Sequence, residues 1–222
     1  SRNAQEIFAR EFPGSILAGT GTTNNVTVEE VTGESETNKP DYSIYPWFKP
    51  SIGFSQRGCR LRCSFCVVPK KEGRIKDCRT INEIWRGEGH PKELHLLDND
   101  FFGQKNWERK CDELEKGNYK LCLNQGINVR LIHEAGARRL SRLRYYDDQF
   151  KTRRIYTAWD NAKDENIFDR GINLLLDAGI KPGHIMVYML VGYWPGETME
   201  DVFYRFNKLK DYGVLPYPMV FD

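Results

Sequence analysis

Short apolar runs alternate with amphipathic stretches along most of this chain. Runs at 51–55, 93–97, 120–123, 154–158, 184–191 and 216–221 are short and rich in aliphatic, aromatic and β-branched side chains, which predicts six strands. The segments between them carry apolar residues at helical spacing. Thr80 and Glu83 form the capping-box pair that opens one helix, and residues 165–178 place Ile167, Ile172, Leu175 and Leu176 on one stripe before Gly179. After Thr198, residues 199–212 turn Val202, Phe203, Phe206 and Leu209 inward, set Glu200 and Asp201 at the positive helix start, and stop at Gly213. Helices also fit 107–115 and 134–144. Strand and helix in repeated alternation predict an α/β protein with parallel strands. Right-handed crossovers then leave two architectures, an open doubly wound sheet or a barrel.

Residues 1–45 break this rhythm. After a helix-like start they become rich in Gly, Thr, Asn and acids, SILAGTGTTNNVTVEEVTGESETNKP, which predicts a loop-rich lead-in. In 222 residues, 40% hydrophobic and 29% charged content suits a globular domain with a core. No apolar run is long enough to span a bilayer, so no membrane partner is expected. The opening SRNAQEIFAREF lacks the basic-then-apolar order of a secretory signal, so a cytoplasmic location and reduced thiols are expected. Charge is nearly balanced, 33 basic against 31 acidic residues, yet it clusters. Arg57, Arg60, Arg62, Lys70, Lys71, Arg74, Lys76 and Arg79 crowd one stretch; Arg138, Arg139, Arg142, Arg144, Lys151, Arg153 and Arg154 crowd another. Such stretches serve as solvated faces or as contacts for a phosphate-bearing substrate or cofactor.

One motif carries chemistry. Gly58 to Cys66 reads GCRLRCSFC, which sets Cys59, Cys63 and Cys66 at C-x3-C-x2-C spacing on the loop after the first predicted strand. Thiolates select zinc, copper or iron–sulfur clusters. A structural zinc wants four ligands, usually as two pairs, and the next thiol, Cys78, follows only after a basic run. A cubane held by three thiolates instead leaves one iron open to a non-protein ligand. Later strand ends would bring Asp98-Asn99-Asp100, Asn124-Gln125-Gly126, Trp159-Asp160-Asn161 and Gly192-Tyr193-Trp194 to the same rim, where parallel α/β proteins put their ligands. Cys78, Cys111 and Cys122 lack mutual spacing and read as ordinary thiols, and His95 and His184 as structural residues. Trp159 reads as a packed aromatic or as a stacking surface at a strand end, and Tyr145-Tyr146-Asp147-Asp148 as a loop.

The C-x3-C-x2-C loop, with Phe65 just before the last cysteine and a βα series behind it, resembles the radical S-adenosylmethionine (SAM) superfamily over about residues 42–222. PDYSIYPWFKPSIGFSQRGC and LVGYWPGETMEDVF are similar to the branch that includes B12-binding radical SAM enzymes and methylthiotransferases. The resemblance implies a partial (β/α)6 TIM-type barrel with parallel strands and outer helices. It also implies a 4Fe–4S cluster held by Cys59, Cys63 and Cys66, with SAM on the open iron. An electron from a flavodoxin or ferredoxin would then split SAM into methionine and a 5′-deoxyadenosyl radical that takes hydrogen from a substrate, here unidentified. Implied cofactor contacts are Phe65; Asp98, Asn99 and Asp100, which stand where many members have Gly-Gly-Glu; Gln125, Arg130 and Asp160; and Val191 and Gly192 beside adenine. A cobalamin domain would need a full Rossmann-like unit with a His-bearing loop, whereas 58 residues precede Cys59 and none is His. Cobalamin is therefore not expected. Residues 1–45 stand as the remnant of such a domain, and 46–222 as the radical SAM core, truncated at its C-terminal side.

Two other functions stay open. GYWPGET and the basic stretches suggest a tRNA-directed methylthiotransferase or related RNA modifier, but its second cluster domain and RNA-binding domain do not fit within these 222 residues, so nucleic acid is not favoured as a partner. The other is a non-catalytic iron–sulfur or zinc protein with a binding or regulatory role.

Overall fold

The longest apolar run becomes the centre of a parallel sheet, its alternate residues buried on one face and half-buried on the other. The computed structural model describes residues 2–18, 26–35 and 38–221, in two units, Ser1–Lys39 and Pro40–Asp222. The first unit holds α1 (Arg2–Glu11) and α2 (Val28–Thr32), the latter opened by a Thr27–Glu30 capping box and closed by left-handed Gly33. The TGTTNN part of the expected lead-in loop lies outside the described residues.

Nine strands build the described part of the second unit: β1 (Ser51–Gly53), β2 (Gln56–Arg57), β3 (Lys76–Asp77), β4 (Glu93–Leu96), β5 (Lys120–Leu123), β6 (Arg144–Tyr145), β7 (Ile155–Ala158), β8 (Ile185–Val191) and β9 (Leu215–Val220). One parallel sheet has the order β1-β4-β5-β6 and another β7-β8-β9, while β2 and β3 pair antiparallel. Past the end of β5, Ile127 N–H donates to Tyr156 O at 2.8 Å and the Thr157 hydroxyl donates to Ile127 O at 2.9 Å, so the first sheet hands over to the second. The strand β9 contains Pro216 and Pro218 and still keeps register with β8, and beyond it Phe221 N–H donates to Val191 O at 2.9 Å.

Between the strands lie α3 (Val68–Lys71), α4 (Ile81–Ile84), α5 (Trp107–Lys116), α6 (Glu134–Arg142), α7 (Glu165–Asp177) and α8 (Met199–Asp211). Ile185, Val187 and Met189 of β8 join Phe168, Ile172 and Leu175 of α7 and Val202 and Leu209 of α8 in one apolar cluster. The other side of β8 carries Tyr188, which stacks on Tyr156 at 5.9 Å and meets Tyr217 edge-on at 5.5 Å.

All six expected strands are present, the first cut short at Gly53 because the chain turns off into β2. Three other expectations are corrected. The helix expected over 134–144 ends at Arg142, since Arg144 and Tyr145 bond to β5 as β6. Tyr145 is thereby a strand residue rather than part of a loop, and its hydroxyl meets His184 Nδ1 at 3.0 Å. Ile167 and Phe203, expected inward, lie outward, and the buried places on their helices go to Phe168, Gly171 and Arg205. Of the two readings of Trp159 the packed one holds: it is buried, stacked on Phe168 with ring centroids 4.7 Å apart and planes nearly parallel.

Candidate cofactor and metal site

The cysteine loop leaves the first sheet at a polar knot. Asp98, after β4, is wholly buried and accepts from Ser55 N–H at 2.7 Å, from Gln56 N–H at 3.1 Å and from the Ser55 hydroxyl. Burial outweighs these donors and pushes its carboxyl up to about 6. Asp100, equally hidden, forks onto Arg60 through Nε at 2.7 Å and Nη2 at 2.9 Å. Its N–H donates to Gln56 Oε1, and the Gln56 amide donates to Gly58 O at 2.5 Å. Asp98 and Asp100 thus spend their oxygens inside the chain. Asn99, between them, reaches the cavity surface.

The three thiols are half-buried. Cys66 N–H donates to Cys63 O at 3.0 Å, closing the turn that holds the last two, and Leu61 N–H points to Cys59 Sγ at 3.4 Å. Burial raises the Cys59 thiol above its ordinary range. Arg130 arrives from the turn after β5, donates to Cys63 Sγ at 3.2 Å, and is held from behind by Asp164 at 2.8 Å. Cys59, Cys63 and Cys66 all border two cavities. The larger, about 730 Å³, is walled by the cations Arg60, Arg62, Lys70, Arg74 and Lys105, with no acidic side chain in its lining. The smaller, about 140 Å³, is lined by Asn99, Gln125, Asn128, Arg130, Thr157 and Ala158. Among the described residues, no three His, Cys, Asp or Glu side chains converge to hold a metal ion. The remaining cysteines stand elsewhere: Cys111 and Cys122 are buried, with thiols pushed up to about 12, and Cys78 lies near Lys76 O.

The structure therefore brings Asn99, Gln125 and Arg130 to the thiols. Phe65 reaches the loop after β8, edge-on to Tyr193 at 5.4 Å and to Trp194 at 6.3 Å, and Tyr193 in turn meets Phe221 at 4.9 Å. Asp160, Val191 and Gly192 border neither cavity. Burial raises the Asp160 carboxyl, and its backbone oxygen accepts from the Trp194 indole at 2.7 Å. Gly192 turns the chain after β8, its N–H donating to Glu197 at 2.7 Å. Sequence reasoning missed Asn128, Thr157 and Ala158, which face the smaller cavity from ordinary-looking segments, and Glu72, whose only signal is an acid standing alone in a basic run. No protein-family model matches the chain, and neither curated proteins nor solved structures contain a match to it.

Proposed function

We propose that this chain is a radical SAM enzyme that acts on a substrate still to be identified. The observation that carries the reading is the position of Cys59, Cys63 and Cys66, which border both cavities from one short loop beside the ends of parallel strands. The donor set suits the group. A single ion needs its ligands about 2–2.3 Å from one point, whereas a four-iron cubane suits thiols set around a void. When bound there, a 4Fe–4S cluster would supply an open iron for SAM and the electron that cleaves it into methionine and a 5′-deoxyadenosyl radical.

The chain's own residues then have distinct tasks. Cys59, Cys63 and Cys66 are the ligands. Arg130, fixed by Asp164, donates to the Cys63 sulfur and so orients that ligand. Arg62, Lys70, Arg74 and Lys105 offset the negative charge of three thiolates and suit an acidic electron donor such as a flavodoxin or ferredoxin. Asn99, Gln125 and Asn128 offer amides to the polar groups of SAM in the smaller cavity. Phe65, packed on Tyr193 and Trp194, keeps water from that side of the site. In the same reading β1, β4, β5, β7, β8 and β9 form a partial (β/α)6 barrel of TIM type, supported by the Ile127–Tyr156 link between the sheets and by the Phe65 contact with the β8 loop. The reduced thiols this chemistry needs suit the cytoplasm.

Anaerobic reconstitution with iron and sulfide, followed by dithionite and SAM, tests the proposal. Wild type is expected to bind about four irons per chain and to release 5′-deoxyadenosine, and Cys63→Ala to release none. One zinc per chain, or iron without the nucleoside, overturns it.

A further inference from the structure

Glu72 follows α3 at the far end of the cysteine loop, and it is the sole acid between Gly58 and Lys76. Its side chain is only 10% exposed, and its carboxylate is used three times. Oε2 accepts from Gly58 N–H at 2.9 Å and from Asn99 Nδ2 at 2.7 Å, while Oε1 meets Arg57 Nη2 at 3.1 Å. One side chain thus ties the residue before Cys59 to the residue after α3, and both to the loop that follows β4. The backbone closes the same neck. Gly58 has a left-handed φ of +80°, and a Cβ there would fall 2.4 Å from Arg74 O, so the two arms of the loop touch where only glycine fits.

We propose that Glu72 is a positioning residue, a clasp that holds the cysteine loop in its ligand-presenting shape before any cofactor is bound. Its value for loading rests on the reading of Cys59, Cys63 and Cys66 as cluster ligands, but the clasp itself is a property of the metal-free chain. A loop whose ends are already joined gives up less freedom when its thiols are gathered, and a loop released at the neck must be ordered at the expense of binding. Glu72→Ala removes the acceptor from Gly58 and Asn99 and the counter-charge from Arg57. Glu72→Gln keeps one acceptor oxygen but turns an NH2 toward a donor, so it restores only part.

The test has two readouts. Hydrogen exchange in the metal-free protein, followed by NMR in wild type, Glu72→Ala and Glu72→Gln, reports the Gly58 amide, with the β8 amides as a fold control. The rate at which a chelator strips iron from the anaerobically reconstituted proteins reports loading. Expected are about tenfold faster Gly58 exchange and iron loss in Glu72→Ala, the size of one charge-assisted hydrogen bond, with intermediate values in Glu72→Gln and an unchanged β8. Unchanged Gly58 exchange overturns the clasp. So does faster exchange throughout β8, which makes Glu72 a residue of general stability, and so does iron held as firmly by Glu72→Ala as by wild type. Release of Gly58 in a chain whose wild type retains no iron leaves the clasp standing and removes the cluster reading instead.

Discussion

Asp98 shows how a residue picked for chemistry can be taken up by architecture. Its carboxyl, with no solvent contact and a pKa raised to about 6, binds a proton more readily folded than unfolded. Between the unfolded value of 3.8 and about 6, the native state therefore holds the extra proton, and stability falls as pH rises through that window. A rise of that size corresponds to roughly 3 kcal/mol. Asp98→Asn keeps an oxygen for the Ser55 and Gln56 amides and offers an NH2 to the Ser55 hydroxyl, so it is expected to fold. Urea unfolding of both proteins at steps from pH 4 to 7 should show wild type losing stability relative to Asp98→Asn by up to that amount. A constant difference across the series refutes the raised pKa.

At the scale of elements, the site depends on how closely α7 approaches the turn after β5. A Cβ on Gly171 would sit 2.1 Å from Val129 O, and Arg170 donates to Arg130 O at 2.7 Å, so the helix packs directly on the turn that carries Arg130. Gly171→Ala is expected to cost about 1–3 kcal/mol by overpacking, seen as a melting temperature lower by roughly 2–4 °C per kcal/mol. Gly183→Ala, with nothing within 4 Å of its added carbon, should melt with wild type and serves as control. The long elements were legible in the sequence because a run such as Ile185–Val191 or a capped helix such as Met199–Asp211 repeats its period several times. The two-residue strands β2, β3 and β6 repeat nothing and were invisible. The inward stripe of α8 was misjudged at Phe203 because Arg205 takes a buried place that hydrophobicity alone never gives an arginine. It does so by donating to Trp159 O and Leu190 O and pairing with Glu197. The site followed the same division. Cys59, Cys63 and Cys66 announce themselves by spacing, while Glu72 and Thr157 acquire meaning only through partners 14 and 30 residues away.

For the whole molecule, the apolar cluster runs from Ile81 to Val214 and lies entirely within Pro40–Asp222. A chain lacking residues 1–39 is therefore expected to unfold in urea as one cooperative transition with the midpoint of the full protein; loss of cooperativity would show that the first unit is needed for the core. The prolines of β9 have a further effect. In a parallel strand alternate residues face alternate neighbours, and because Phe221 N–H turns to Val191 O, the odd-numbered residues face β8. Pro216 and Pro218 hence face away from it, at positions where any other residue would hold out an amide. An incoming strand would find carbonyls there with two of the matching donors deleted. Tyr217, Met219 and Val220 can thus stay exposed at this margin without inviting intermolecular sheet growth.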